Sequence, residues 1–209
     1  MARITDPTKL ERIKKATMDL VVKYDYSGAS IGAIAKKAGV STGYLYRYYN
    51  GKNDLIDDLI ESNFKKFENI FHGTINKKST AEDIIYNFVS ILFNVAVTNP
   101  ILAKFLCTLI FDQKFQVEKR RKNDKRVREL LNDVLKIGIK NGEINPKTTL
   151  DEILLVLFTI TFSYISMNIN EDYNEEKFGE KEVRRITEIC LNALKWFSKK
   201  WMNFHSLKV

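Results

Sequence analysis

The fold of this chain is most constrained by SIGAIAKKAGVSTGYLYRYYNGK, the stretch at residues 30–52. Ser30 can cap a helix, because a serine hydroxyl accepts hydrogen bonds from the unpaired N–H groups of the first turn. Apolar residues such as Ile34 and Ala35 follow at the spacing of one helix face. Gly39 suits the left-handed position that commonly ends a helix. The stretch therefore begins with one short helix.

A second short helix is predicted directly after the first. Ser41 can cap it, and Leu45 and Tyr49 lie four residues apart, so both side chains are expected to face inward. Two short helices joined by a turn of about four residues form a helix-turn-helix, in which the second helix enters the DNA groove. The pattern predicts a DNA-reading unit near the N-terminus.

The sequence of this stretch resembles that of the TetR family of bacterial transcriptional repressors. Three positions depart from the family: Tyr49 replaces the usual Phe, Asp25 stands where Gly often ends helix 1, and Ala29 where Thr often precedes the cap. The motif covers about the first quarter of the chain. The family pattern I-A-x-x-A-G-V-S-x-G-x-L-Y-x-Y-F-x-x-K-x-x-L is met by Ile34, Ala35, Ala38, Gly39, Val40, Ser41, Gly43, Leu45, Tyr46, Tyr48, Lys52 and Leu55.

An all-α fold of about nine helices is expected. The resemblance implies an N-terminal three-helix DNA-binding domain with the helix-turn-helix at residues 1–51, and a C-terminal helical domain for effector binding and dimerisation at residues 52–209. Helical patterning continues through the second region, where predicted helices 7, 8 and 9 cover about residues 115–140, 148–170 and 181–203. No stretch has the pattern of a strand.

The charge of the chain is concentrated beside the motif. The 209 residues have a net charge of +8. Residues 1–52 contain ten Lys or Arg against four Asp or Glu, a net charge of +6, whereas residues 53–209 have a net charge of only +2. An excess of positive charge next to a reading helix is what binding to phosphate groups requires.

Enzymatic activity is not expected, and neither is a cofactor or a metal site. The sequence has no GxSxG, no HExxH and no glycine-rich phosphate loop. Two Cys and two His are too few for a disulfide framework and make a zinc site improbable. The N-terminus lacks an apolar signal core, which predicts a cytoplasmic protein.

The DNA-binding candidates lie on and around the reading helix. Arg47 is the best candidate for a bidentate contact to a guanine edge, and Gly43 allows close approach of the backbone. The resemblance implies that Lys52, Tyr46 and Tyr48 contact phosphates, although both tyrosines could equally pack within the small domain. The full set is Ser30, Ser41, Thr42, Gly43, Tyr44, Tyr46, Arg47, Tyr48 and Lys52.

The resemblance places an effector pocket among helices 4 to 8. This region is rich in aromatic residues and its acids cluster near helix ends, which favours a small hydrophobic or aromatic effector, such as an acyl chain, over a cation. Each aromatic residue could instead fill the core, and Cys107 could be a small apolar filler or a redox-sensing thiol. The candidates are Tyr86, Phe105, Cys107, Phe111, Phe158, Thr161, Phe162 and Tyr164, among which Tyr86, Thr161 and Tyr164 are expected to orient the polar end of the effector.

Predicted helices 8 and 9 are expected to form a homodimer as a four-helix bundle. Residues 153–169 are an uncharged run of 17 that includes several Ser, Thr and Asn residues, so a core or interface helix is favoured over a membrane span. A two-fold dimer implies a palindromic double-stranded DNA operator. The function expected is a repressor released from DNA by its effector. The alternative is a helical dimeric module that binds ligand or partner without DNA.

Overall fold

The computed structural model describes residues 7–74, 79–119, 124–169 and 175–195, and these residues form ten helices without a strand. The predicted all-α fold is therefore confirmed. The helices are α1 (Pro7–Gly28), α2 (Ile31–Ala38), α3 (Thr42–Leu45), α4 (Lys52–Thr74), α5 (Ala81–Thr98), α6 (Pro100–Phe111), α7 (Gln113–Lys119), α8 (Asp124–Lys140), α9 (Leu150–Asn168) and α10 (Glu180–Leu194), with a 3₁₀ turn at Glu175–Phe178.

Helices α1 to α3 pack as the predicted three-helix unit, and its caps are those that the sequence indicated. Ser30 Oγ accepts from the N–H of Ala33 at 3.2 Å. Gly39 ends α2 at φ +66°. Ser41 Oγ accepts from the N–H of Tyr44 at 3.1 Å. These bonds join residues three apart, so the capping residues of both helices could be recognised from the local sequence.

Predicted helix 7 is described in two parts, α7 and α8, and residues 120–123 between them lie outside the described residues. Asp112 Oδ1 accepts from the N–H of Phe115 at 2.9 Å, so α7 begins with its own cap directly after α6. The second part of predicted helix 9, beyond residue 195, lies outside the described residues.

Helix α9 contains nearly all of the uncharged run of residues 153–169, and it has a π-helical turn at Leu155–Thr159. Helices α5 and α9 are both long and apolar enough to cross a membrane on length and composition alone. In the structure both carry buried residues that belong to the core of the C-terminal region. One face of α9 therefore packs as a core helix does.

The buried residues form two clusters. The N-terminal cluster joins α1 to α3 with the first half of α4, and it also takes Phe105 and neighbouring residues of α6. The C-terminal cluster surrounds α5 and includes Phe71, Phe88, Phe93 and Phe162. Because α4 contributes to the first cluster with Leu55 and to the second with Phe71, it connects the reading unit to the rest of the protein.

Helix α1 is bent near its end at Asp25, which has φ +59° and ψ 176°. Glycine adopts this backbone conformation without strain. In any residue with a side chain, the same conformation raises the conformational energy by about 1–3 kcal/mol. The sequence had already indicated this position, since the resembling family often has Gly there. The structure explains that preference, because the chain must turn sharply between α1 and the start of α2.

We expect Asp25→Gly to raise the free energy of unfolding by about 1–2 kcal/mol, because release of the backbone strain exceeds the entropic cost of a glycine. In a thermal unfolding experiment, this gain in stability corresponds to a rise of the melting temperature by roughly 2–8 °C. Asp25→Ala is the matched control, since it removes the same carboxylate and keeps the strain. An equal rise in both variants would show that the charge of Asp25, and not its backbone, is unfavourable.

Candidate nucleic-acid interface and effector site

The surface around α3 exposes most of the predicted DNA-binding residues together. Thr42, Gly43 and Arg47 are exposed, and Tyr46 exposes 60% of its surface. Leu45 is fully buried beneath them, and Tyr49 is nearly so, as predicted. The chain after Leu45 continues in tight turns, in which the N–H of Arg47 donates to Tyr44 O at 3.3 Å. The predicted reading residues therefore share one solvent-facing surface.

Gly43 has no structural reason within the described residues to be a glycine. A Cβ placed there would meet only Ser41 Oγ, at 4.0 Å, and the glycine does not have a positive φ. The space that Gly43 leaves open therefore lies toward solvent. This agrees with a surface at which another molecule approaches the backbone closely.

Two tyrosines of the candidate set contribute to packing as well as to the surface. The rings of Tyr44 and Tyr48 lie 5.2 Å apart, and Lys9 Nζ lies 5.5 Å from the centre of the Tyr44 ring. Tyr48 remains exposed over 38% of its surface. Packing and phosphate contact, the two interpretations of Tyr48 given above, are therefore compatible with each other.

Lys52 is held at the junction of α1 and α4. Its Nζ donates to Tyr26 O at 2.5 Å and lies 4.2 Å from the centre of the Tyr26 ring. The hydroxyl of Tyr26 donates to Asn53 Oδ1 at 2.6 Å. Lys52 thus ties the start of α4 to the end of α1, a role that sequence reasoning missed. Its phosphate contact stays a prediction.

Helix α4 is also tied to α8. Arg126 of α8 pairs with Glu61 and Glu68 of α4, and its guanidinium lies 4.8 Å from the centre of the Phe64 ring. The hydrogen bond from Arg126 lowers the pKa of the Glu68 carboxyl, so that the pair persists at neutral pH. The helix that carries the reading unit therefore has side-chain contacts with the C-terminal region.

The predicted effector residues divide into separate groups. Phe158, Thr161 and Phe162 lie on α9 in or beside the C-terminal aromatic cluster, where the Phe158 ring is 5.2 Å from that of Phe88. Phe105 belongs instead to the N-terminal cluster. Phe105 lies on α6, which packs against α1. No feature of the sequence distinguished Phe105 from the phenylalanines of the C-terminal cluster.

The two candidate tyrosines contact the 3₁₀ turn and α10. The Tyr164 hydroxyl donates to Lys177 O at 3.0 Å and lies 3.3 Å from a carboxylate oxygen of Glu182, and its burial raises its pKa. The Tyr86 ring lies 5.3 Å from the guanidinium of Arg184. These contacts occupy both tyrosines within the chain, and their predicted role toward an effector stays a prediction.

A cavity of about 740 Å³ opens between α1, α6, the start of α7 and the end of α9. Its volume lies in the range of small-molecule sites. Two predicted residues, Cys107 and the half-exposed Phe111, line it. The others come from positions that sequence reasoning missed, because they lie far apart along the chain: Val22, Tyr24, Asp25, Ser27, Lys104, Thr108, Asp112, Gln113, Lys114, Ser166 and Ile169.

Cys107 lies where the cavity meets the aromatic cluster. Its Sγ donates to Phe162 O at 3.6 Å, and the Phe162 ring stacks on that of Phe158 at 5.9 Å. Burial raises the pKa of the Cys107 thiol to about 12. Because the thiolate is the reactive form, this protonated thiol is a poor redox sensor, and the interpretation as an apolar filler or wall residue is favoured.

Comparison with known proteins agrees with the helix-turn-helix geometry. Residues 13–59 match the bacterial regulatory proteins of the tetR family. The fatty acid metabolism regulator protein of Bacillus subtilis (strain 168) is 27% identical over 139 residues, which are 65% of this chain and 71% of that protein. Residues 13–59 thus carry the helix-turn-helix region of the tetR family. The similarity indicates a DNA-binding transcriptional regulator, which favours the first of the two predicted functions over a module without DNA binding.

Solved structures share the TetR-family fold over nearly the whole chain. FadR from Bacillus subtilis in complex with stearoyl-CoA has a TM-score of 0.70 at 19% identity, over 88% of this chain and 98% of that one. The fatty acid degradation regulator FadR from Bacillus halodurans has a TM-score of 0.71 at 20% identity, over 90% and 97%. The likeness extends the shared fold beyond the N-terminal match into the C-terminal region.

Proposed function

We propose that this regulator is a dimeric repressor that leaves a palindromic operator when a hydrophobic effector of the acyl-thioester class binds. The observation that supports this most is the cavity, because its wall comes from both parts of the protein. Val22 and Ser27 belong to the helix that supports the reading unit, whereas Cys107 and Ile169 belong to the C-terminal core. A molecule in this cavity contacts both parts at once.

The lining of the cavity suits a molecule with a charged head and an apolar tail. Lys104 and Lys114 supply two positive charges. Of the two acids in the lining, Asp112 caps α7 and Asp25 lies at the bend of α1. Lysine side chains bind phosphate as mobile point charges. We therefore place the phosphates of an acyl-CoA at the lysines. FadR of Bacillus subtilis, whose fold this chain shares, was solved with stearoyl-CoA.

The apolar tail belongs on the inner side of the cavity. Cys107 connects the cavity to Phe162, Phe158 and Phe88 through the contacts given above. An acyl chain that enters beside Cys107 reaches these aromatic rings and leaves its head at the lysines. The aromatic character that the sequence predicted for the pocket is retained in this arrangement, although Phe105 is not part of it.

Release from DNA follows if the effector favours one position of α1 relative to α6. Tyr26 beyond the bend of α1 packs edge to face against Phe115 of α7 at 5.2 Å, and Lys52 holds the same tyrosine to α4. A ligand that moves this end of α1 therefore also moves the start of α4. The ligand can shift the reading units only as far as its affinity differs between the two positions.

Dimerisation is proposed through α9 and α10, which correspond to predicted helices 8 and 9. The stripe of α10 that includes Val183, Ile186 and Cys190 is buried in the core of its own chain. Other apolar side chains remain uncovered: Leu155 and Met167 of α9 expose 61% and 76% of their surfaces, and Ile189 of α10 exposes 44%. A second copy of the chain would cover them by a two-fold contact.

The test is a competition between stearoyl-CoA and operator DNA. The operator is first selected by the protein from random duplexes, and its affinity is then measured with and without the ligand. We expect saturating stearoyl-CoA to lower operator affinity at least about tenfold. Tight binding of stearoyl-CoA without any change in operator affinity would contradict the coupling. Binding of only polar or cationic ligands would contradict the proposed class of effector.

The cavity is tested by Lys104→Ala combined with Lys114→Ala. Loss of two phosphate contacts is expected to weaken stearoyl-CoA binding roughly tenfold or more while ligand-free operator binding stays unchanged. Lys136→Ala is the matched control, because it removes an exposed lysine from α8, away from the cavity. Equal ligand affinity in the double variant and the control would show that the head of the effector binds at another surface.

A further inference from the structure

Two aromatic side chains of the cavity wall are half exposed to solvent. Tyr24 of α1 and Phe111 of α6 both line the cavity, and each exposes 50% of its surface. A side chain that lines a cavity and is also half exposed lies at the opening of that cavity. In the part of the chain that the structure describes, neither ring is paired with another aromatic ring. The opening therefore has two uncovered aromatic side chains, one from each of two helices.

The exposure of Tyr24 is a consequence of the bend in α1. Tyr24 follows the buried residues Leu20 and Val21 by four and three positions, so a straight helix would turn it inward. Instead Tyr24 and Asp25 leave the helical backbone conformation, with φ −130° and φ +59°. Backbone strain of this kind is concentrated at functional sites. The bend brings an aromatic ring to the opening of the cavity, although the strain lowers stability.

The surroundings of Tyr24 hold its side chain in place and add positive charge. A Cβ on Gly28 would lie 2.7 Å from the Tyr24 Cβ, closer than non-bonded carbon atoms approach each other in proteins. The missing side chain of Gly28 therefore leaves the space in which the Tyr24 side chain begins. The ammonium group of Lys23 lies over the Tyr24 ring, 5.0 Å from its centre. The opening thus suits an anionic ligand with a planar group.

The proposed position of the effector brings its nucleotide to this opening. Coenzyme A joins the pantetheine arm to adenosine through a diphosphate, so the acyl chain and the adenine lie on opposite sides of the diphosphate. With the tail beside Cys107 and the phosphates at Lys104 and Lys114, the adenine points away from the interior. The half-exposed rings of Tyr24 and Phe111 lie on this outer side.

The residue after Tyr24 favours a base over a further phosphate on this side of the opening. Asp25 is exposed and lines the cavity. Its carboxylate repels phosphate groups, but it accepts hydrogen bonds. The exocyclic amine of adenine is a hydrogen-bond donor. A planar base with an amine therefore suits the side of Tyr24 and Asp25, whereas phosphates suit the side of the two lysines.

We propose that the adenine of the effector stacks on the rings of Tyr24 and Phe111, so that the protein selects acyl-CoA over free fatty acids and acyl-pantetheine. This inference rests on the proposed function, and it adds the part of the ligand that is recognised at the opening of the cavity. Aromatic side chains bind bases through their faces, and this stacking makes a large contribution to affinity.

A ligand pair that differs only in the base tests the proposal. Palmitoyl-CoA carries adenine, and a baseless analogue keeps the ribose, all the phosphates and the acyl chain. The wild-type protein is expected to bind palmitoyl-CoA about tenfold more tightly, which is the effect of one stacked base. Tyr24→Ala combined with Phe111→Ala should bind both ligands equally. Equal affinities in the wild-type protein, or an unchanged preference in the double variant, would overturn the proposal.

Two further variants separate stacking from a general loss of structure. Tyr24→Phe combined with Phe111→Tyr keeps both rings and should keep the preference for palmitoyl-CoA, so its loss there would count against stacking. Ile70→Ala is the matched control, because it shortens an exposed apolar side chain that does not line the cavity. Both ligand affinities should be unchanged in this control, and a loss equal to that of the double alanine variant would overturn the proposal.

The ultraviolet absorbance of adenine supplies a measurement on the wild-type protein alone. Stacking lowers the absorbance of a base, so binding of palmitoyl-CoA is expected to decrease it. Binding without a change in absorbance would show that the base stays in solvent. If neither ligand binds the wild-type protein, the proposed effector class fails and the stacking site with it. If both ligands bind with equal affinity, the effector class stands and only the stacking site fails.

Discussion

A double variant, Leu155→Glu with Met167→Glu, is expected to be monomeric at micromolar concentration and to bind the operator at least about a hundredfold more weakly. In the single chain both side chains are apolar and more than half exposed. In a two-fold dimer each substitution occurs twice, so four carboxylates would enter the interface and oppose its formation. A monomer engages one half-site and loses the gain of simultaneous binding, which amounts to roughly 10²–10⁴.

Light scattering gives the mass, and fluorescence anisotropy with operator DNA gives the affinity. Ile70→Glu is the matched control, because Ile70 is an apolar residue of α4 with 54% of its surface exposed. The control is expected to stay dimeric with unchanged operator affinity. A double variant that keeps the mass of two chains would show that the dimer contact lies elsewhere. A wild-type protein with the mass of one chain would contradict the proposal that the protein dimerises.

Substitution of Arg47 by Ala is expected to lower the affinity for the selected operator by roughly tenfold to a hundredfold per half-site. A bidentate pair between arginine and guanine contributes about 1–3 kcal/mol of discrimination between bases. Arg47 is exposed beside Gly43, where the backbone has open space in front of it. The variant should therefore lose preference for one base position while its binding to random DNA changes little.

Selection of binding sites with the variant, followed by affinity measurements at several salt concentrations, separates base reading from charge. Lys36→Ala is the matched control, because Lys36 is an exposed lysine of the same domain outside the reading helix. If Lys36 touches a phosphate, its removal weakens all sequences alike and lowers the salt slope by about one. If Arg47→Ala lowers the affinity for the selected operator and for random DNA equally, Arg47 contacts phosphates and does not read a base.

The helix-turn-helix could be predicted from the sequence in detail, whereas the effector cavity could not. The caps at Ser30 and Ser41 and the left-handed glycine at Gly39 all depend on hydrogen bonds between residues three to five apart. The inward direction of Leu45 follows from helical spacing alone. For this reason the local sequence was enough to place the reading surface and its exposed residues.

The long C-terminal helices could be recognised by periodicity, but an irregularity within one of them was missed. The π turn of α9 lies in a run of apolar residues with no local signal. The bend at Asp25 is an intermediate case. The resemblance indicated an unusual residue there, and the structure supplied the reason, a backbone conformation that favours glycine.

What the sequence by itself determined is the helical class, the reading unit and its capping residues, because these depend on interactions within one or two turns. The tertiary structure decided which apolar residues meet. It put Phe105 with the N-terminal cluster, gathered Val22, Lys104 and Ile169 around one cavity, and left Thr161 without a hydrogen-bond partner among the described residues. These outcomes depend on contacts between helices about 60 to 150 residues apart, and hydrophobic burial, which drives them, is non-directional and has no local sequence code.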